Sequence, residues 1–550
     1  MIDKNDIRFK TVLGENATPS DVQVDLCDFI AHKVGNATVE SRAGSGKSKT
    51  IELMAHFVPK DKKILIVCFN KHIAEHLTNA LLKENVKADV MTYHSLGNKI
   101  LKAKKHLNVK DNFKEDKYRS YINENIDKLN PDYQSFNVAS KTIYKKNLIK
   151  LIDYARYNLM QSSKEIGKVA RKYSVNLIDN ECEAVKDILK WGSSNLETYD
   201  YQDMIWLPFE LGINANIPYL QYDFIFIDEA QDSSLAQQNL IKICTKRNTR
   251  FIALGDGFQC INSWVGSDEE AFLKFNKKDN VKKFTLNTSY RCAKKIGELA
   301  KTIVPDFNTP DWVEEGEVNY GVSLDKIKPG DMVLCRLTAP LVDLHLRLIS
   351  EKQPSKIKGI ELGNELKSIV NSCVSTKVND LRMEMEKGLI DRWVKLSEDN
   401  EMSLKDAASE NEIMIAYDTL LTLNIISKGL TTKDELLARI DELLINNTEK
   451  DDVEEPNTIH LTTVHRAKGL ENDNVFILCP SLMPSRLAHR DWEIKAEQNL
   501  IYVAYTRAKK TLNFISEKEF PPSNGFSGVE NMYNVLLKIK ESYEEENEVS

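Results

Sequence analysis

Seven short apolar runs constrain this 550-residue chain more than any other feature. They read KILIVCF at 63–69, FIFID at 224–228, RFIALGD at 250–256, DMVLCRL at 331–337, TIHLTTV at 458–464, NVFILCP at 474–480 and TLNFIS at 511–516. Continuous runs of Val, Ile, Leu and Phe, each too short for a helix and separated by helical patterns, are what strands buried on both faces of a parallel sheet require. Three runs fall before residue 260 and four after 330, so the expected fold is α/β with two parallel-sheet domains. The stretches between the runs at 104–195 and 379–455 are polar and helical in pattern, and they read as one helical insertion in each domain. The expected boundaries are therefore 1–103 plus 196–290 for the first domain, 291–378 plus 456–530 for the second, and 531–550 for an acidic tail.

Composition removes several classes. A chain with 42% hydrophobic and 29% charged residues, 22 Gly and 15 Pro is neither disordered nor fibrous. The apolar runs fall far short of the ~20 residues a membrane helix needs, and MIDKNDIRFK has no signal-peptide core, so a cytoplasmic chain without membrane contact is expected. Nine Cys without a CxxC pair argue for reduced thiols and no structural metal. The net charge of −7 is unevenly spread: from Lys99 to Lys172 there are eighteen Lys/Arg against eight Asp/Glu, whereas 379–455 and the ending ESYEEENEVS are acidic. A basic segment in an acidic chain suits a polyanion track, and the acidic ending suits a protein partner.

The stretch SRAGSGKSKT at 41–50 meets the phosphate-loop pattern at Gly46, Lys47 and Ser48, with Ser41 where the first Gly would stand. Amides of such a loop, from Ala43, Gly44, Ser45 and Gly46 through Lys49, hold phosphate oxygens at a helix start; Lys47 bridges the outer phosphates and Ser48 meets Mg²⁺. An acidic pair stands where the run FIFID ends. Asp228 there suits the Mg²⁺ shell and Glu229 suits the activation of water. Together these residues point to nucleoside triphosphate hydrolysis.

At DEAQD, 228–232, the chain resembles superfamily 1 helicases of the UvrD/Rep/PcrA type, and further motifs follow in family order. PSDVQ resembles the adenine-reading motif, with Gln23. CFNKHIA and TYHSLG resemble the two single-strand-contacting motifs, with Phe69, Asn70, Thr92 and His94. GDGFQCINSW resembles the third motif, which implies Gln259 as γ-phosphate sensor and Trp264 as a base-stacking ring. LNTSYRC implies Tyr290 on adenine and Arg291 at the γ phosphate. TTVHRAKGLE implies His465 near nucleic acid, Gly469 in the loop and Glu471 near the ribose. NLIYVAYTRAKKTL implies Arg507 as arginine finger. The resemblance spans 20–512 and implies two RecA-like domains of the P-loop NTPase fold, ATP and Mg²⁺ as cofactors, and single-stranded DNA and single-/double-strand junctions as partners.

The chain departs from the family pattern in the third motif, with Asn262 for the usual Tyr, Val265 for Arg and Cys260 for Ser; CFNKHIA is one residue shorter than the common form. The form of the fifth motif implies 3′ to 5′ movement. Two other readings stand beside a translocating helicase: a DNA-stimulated ATPase that strips or remodels proteins on DNA, and a partner-dependent ATPase subunit of a nuclease complex. RNA stays beside DNA as a track, because discrimination rests on 2′-hydroxyl contacts that spacing does not reveal.

Overall fold

The computed structural model describes residues 2–103, 109–110, 112–136, 138–172, 175, 177, 180–214, 217–261, 281–357, 360–399, 402–445 and 457–548. The chain divides into two compact units, Met1–Asn287 and Thr288–Ser550. Tyr290, grouped above with the first domain, belongs to the second unit.

The first unit is built on six parallel strands: β1 Asn36–Ser41, β2 Ile64–Cys68, β3 Asp89–Thr92, β4 Tyr222–Ile227, β5 Thr245–Gly255 and β6 Val281–Leu286. Their order is β3-β2-β4-β5-β1-β6. The apolar runs are explained by the two faces of this sheet. Along a strand successive side chains point to opposite sides. Ile64, Ile66, Phe224, Phe226, Ile252 and Leu254 join one buried cluster with helices Asp21–His32 and Lys47–Phe57. Leu65, Val67, Ile225, Ile227 and Ala253 join another with helices Tyr93–Ala103 and Tyr201–Glu210. No position at 64–68, 224–227 or 252–254 is left to water.

The second cluster does not stop at the sheet. Tyr144, Leu148, Leu151, Ile166, Val185 and Ile188, from helices of the expected insertion at 104–195, belong to it as well. The insertion therefore shares a core with the sheet face. Helix Tyr201–Glu210 is the link, and its backbone runs so close to helix Tyr93–Ala103 that a Cβ on Gly97 would lie 1.9 Å from the Met204 carbonyl oxygen.

The second unit repeats the architecture with β7 Glu317–Val322, β8 Met332–Cys335, β9 Ser355–Ile357, β10 Ile459–Thr463, β11 Asn472–Ile477 and β12 Ala508–Ile515, all parallel, in the order β7-β12-β11-β8-β10-β9. Helices begin at Ile360–Ser372, earlier than the expected 379, and continue through Val378–Asp399, Asn411–Ile426 and Lys433–Ile440. They pack Trp393, Ile413, Leu423 and Ile440 into one cluster with the β-strand residues Val333, Leu461 and Phe476. The expected acidic tail, 531–550, is instead largely the helix Val529–Glu548, which buries Met532 and Leu536 completely in that core. Its apolar stripe was hidden by the acids that follow it. Among the described residues no helix is long and apolar enough to cross a membrane.

Candidate active site

In open α/β sheets, ligands bind outside the carboxyl ends of the strands. At that edge of the first unit β1 ends in Ser41, β4 runs into Asp228 and β5 into Asp256. Ser41, the departure from the loop pattern, has a use here. Its buried hydroxyl donates to the Gly255 carbonyl at 3.1 Å, pinning β1 to β5. The loop then turns through Gly44 (φ 73°) and Gly46 (φ 80°), left-handed conformations that glycine adopts without strain. Helix Lys47–Phe57 starts on Gly46 with no side chain capping it. Ser45 Oγ is buried without a hydrogen-bond partner, an unusual orphan inside the loop. An uncapped helix start, amides turned by two left-handed glycines and an orphaned hydroxyl fit a phosphate group.

The side chains at this edge form one network. Lys47 Nζ donates to Glu229 Oε1 at 2.6 Å. Gln231 Nε2 donates to Glu229 Oε2 at 2.6 Å, and its Oε1 accepts from the Asp256 amide at 3.1 Å. Gln259 Nε2 donates to Asp256 Oδ2 at 2.7 Å. Arg42 lies 3.6 Å from Asp256 and over the Phe258 ring. Glu229 itself sits at φ 49°, a costly conformation for a non-glycine residue, which turns its carboxylate toward Lys47. Burial raises the Asp228 carboxyl well above its ordinary range, Glu229 adds to this and Lys47 opposes it. Burial likewise raises Asp256 against the pull of Lys47 and Arg42. Burial works against the charge of Lys47, but Glu229, Asp228 and Asp256 outweigh it and its pKa rises. Ser48, on the first turn of the loop helix, and Asp228 offer hard oxygen donors of the kind Mg²⁺ takes.

Arg42, Gln231 and Asp256 were missed in the sequence. Asp256 carried the same signal as Asp228, an acid at the end of an apolar run. Gln23 is placed nearby but engaged: its Nε2 donates to Thr50 Oγ1 at 3.1 Å and its Oε1 accepts from the Ser20 amide at 3.0 Å, closing a helix cap.

The expected strand-contacting residues follow the neighbouring strands. After β2, Phe69 is 44% exposed, whereas Asn70 caps the next helix through the Ile73 amide at 2.8 Å. After β3, Thr92 exchanges hydrogen bonds with Ser95, and the His94 ring meets Tyr201 edge-on, with centroids 5.7 Å apart. Tyr201, half exposed, packs in turn on Phe113 at 4.5 Å. Beneath this surface lies a buried ionic cluster. Asp203 accepts from Lys117 Nζ at 2.7 Å, Tyr118 Oη at 2.6 Å and Arg156 at 3.0 Å, and Asp200 accepts from Arg156 at 2.8 Å. It joins helices of the basic insertion to helix Tyr201–Glu210. Trp264, Asn262 and Val265 lie outside the described residues.

In the second unit the selected residues gather at the opposite edge of the sheet, the amino ends of β11 and β12. Arg507, just before β12, is 1% exposed and spans three acceptors: the carbonyls of Leu470 at 2.9 Å and Val503 at 3.0 Å, and Thr506 Oγ1 at 3.2 Å. Burial, with Arg291 beside it, brings its pKa down to about 10, so the guanidinium stays charged at neutral pH. Arg291 pairs with Glu471 at 2.6 Å and donates to the Thr506 carbonyl at 3.3 Å. Lys509 reaches the other oxygen of Glu471 at 3.0 Å. Burial tends to raise Glu471, but Arg291 and Lys509 outweigh it and hold it below the usual range. Tyr290 is 44% exposed next to this group. His465 lies apart, at the carboxyl end of β10, where burial, with Arg336 and Arg466, lowers its pKa to about 3. Gly469 turns the intervening loop at φ 90°.

Both units match domains of known protein families. The UvrD/REP helicase N-terminal domain matches residues 26–280, and the UvrD-like helicase C-terminal domain matches 458–515. The chain is 24% identical over 596 residues to the probable DNA helicase II homolog of Mycoplasma capricolum, covering 86% of this chain and 80% of that protein. It is 22% identical over 610 residues to the ATP-dependent DNA helicase Rep of Buchnera aphidicola subsp. Acyrthosiphon pisum, covering 87% and 92%. It is 24% identical over 306 residues to the ATP-dependent DNA helicase PcrA of Leuconostoc citreum, covering 52% and 39%. Two parallel six-stranded sheets, a glycine-turned loop facing paired acids, and family domains matched in both units establish that the chain belongs to the UvrD/REP helicase family.

Proposed function

We propose that the chain is an ATP-dependent single-stranded DNA translocase and DNA helicase that moves 3′ to 5′, driven by ATP-dependent closure of its two RecA-like domains. The observation that carries this reading is the network of Lys47, Glu229, Gln231, Asp256 and Gln259 around the uncapped loop helix. A triphosphate entering the loop competes with Glu229 for Lys47. Once released, Glu229 can accept the proton of an attacking water, and Gln259, hinged on Asp256, can report the γ phosphate to the strand-contacting residues. Mg²⁺, held by Ser48 and Asp228, would neutralise charge developing on the phosphates. Arg291 and Arg507 supply the cationic charge that phosphoryl transfer draws from outside the primary loop. Phe69, Thr92, His94, Trp264 and His465 contact the strand, where a stacked ring contributes ~1–3 kcal/mol per base without reading sequence.

The test is ATP hydrolysis by the purified chain with and without unstructured single-stranded DNA or RNA of equal length, with Lys47→Ala as control. Strong stimulation by DNA, lost in Lys47→Ala, is expected. Stimulation by neither polymer would replace this reading with a partner-dependent ATPase. Polarity is read from duplexes with single tails: faster unwinding of a 5′-tailed than a 3′-tailed substrate would reverse the assignment.

A further inference from the structure

Trp312 is 76% exposed, far more than a large aromatic ring needs to be. Its loop is not a loose one. Ser289 N donates to the Asn308 carbonyl at 2.7 Å, and the amides of Lys294 and Lys295 donate to the carbonyls of Glu314 and Glu315, each at 3.0 Å. Gly297 sits so close to Thr309 that a Cβ would lie 2.5 Å from its methyl carbon. At the far end Gly316, at φ 65°, lets the chain pass where a Cβ would lie 2.3 Å from that of Ala293 and 2.6 Å from the Lys510 carbonyl oxygen. Both ends of the loop are thus fastened to the segment that carries Tyr290 and Arg291.

The result is a fixed relation between two rings. Trp312 and Tyr290 lie nearly parallel, at 23°, with centroids 6.5 Å apart. Holding two exposed rings in register costs apolar surface left in water, and a flat ligand recovers that loss. Arg291 follows Tyr290 directly in the chain, and with its partner Glu471 and Lys509 it suits the polar sugar and phosphate parts of a nucleotide.

We propose that Trp312 is the second ring of a purine-binding face and, with Tyr290, holds the adenine of ATP. This rests on the nucleotide reading given above. It adds a specificity residue that lies outside every motif in the chain. Two rings favour the larger purine over a pyrimidine because more aromatic area is covered.

The full-length protein tests this through steady-state hydrolysis of ATP and of CTP at saturating single-stranded DNA. Trp312→Ala should raise KM for ATP by about three- to tenfold, and the preference for ATP over CTP in kcat/KM should fall by a similar factor. Trp312→Phe should restore most of both. The exposed position makes misfolding of either variant a small concern. An unchanged KM for ATP, with Lys47→Ala inactive, would overturn the role of Trp312 and leave the nucleotide site standing. A rise confined to the DNA concentration needed for half-stimulation would overturn it too, and would assign the ring to the track. Turnover persisting in Lys47→Ala would remove the nucleotide reading and this inference with it.

Discussion

The two charged clusters solve the same electrostatic problem in opposite ways. In the first unit a single lysine is set among Glu229, Asp228 and Asp256 at the carboxyl ends of the strands, and the surplus acids are driven toward their neutral forms. In the second, Arg291, Arg507 and Lys509 gather about one carboxylate, Glu471, at the amino ends. A carboxylate in the interior can shed its charge by taking a proton, whereas arginine cannot, so Arg507 is instead supplied with backbone carbonyls. On the proposed function the first cluster changes partners when an anion and a cation arrive. The second is locked, and its geometry is ready before any ligand binds.

The sharpest way to break this contrast is Arg507→Ala. Loss of an arginine that stabilises transferring phosphate lowers kcat by about 10³–10⁵. ATP binding, measured with a fluorescent analogue, should persist because the loop lies in the other unit. Normal hydrolysis by this variant would mean the second cluster is only structural.

A smaller effect separates the two clusters from His465, at the other edge of the second sheet. Its folded pKa of about 3 lies below the unfolded value, so the unfolded chain binds the proton more readily and stability is lost as pH falls below about 6.5. This group alone should cost about 2 kcal/mol by pH 5. Denaturant melts of wild type and His465→Asn between pH 7 and 5 give the difference; equal slopes with pH would show that the imidazole is not buried neutral.

The smallest effect concerns Ser41. Restoring the glycine of the usual loop pattern, Ser41→Gly, removes one buried hydrogen bond and should destabilise the chain by about 1 kcal/mol without raising turnover. A gain in kcat would show that the serine restrains the loop rather than supports the sheet.

The central strands were legible because both their faces are covered, which forces continuous apolar runs. β1, NATVES, was not, since its buried Thr38 and Ser41 are polar and its identity depends on neighbours distant in sequence. The edge strands β3, β6 and β7 lack a covered flank and carry residues such as Asp89, Lys282 and Glu317, and β9, covered but only three residues long, gives no run to read. The loop and its facing acids could be read because phosphate chemistry dictates residue types at fixed spacing. Arg42, Tyr201 and Trp312 could not, because their significance lies in contacts across more than ten residues of chain.

The ionic cluster of Lys117, Arg156, Asp200 and Asp203 bears on how such a protein can be rearranged over time. These residues come from three helices, two in the insertion and one beyond it, and each charge depends on the others for its burial. Removing one partner of a buried pair costs far more than the intact pair contributes. The insertion is therefore not a cassette bounded by its own two ends. A graft from a relative would have to bring the Asp200–Asp203 turn with it, so the unit of exchange is discontinuous in the chain, and recombination at the apparent domain edges would leave charges stranded in the core.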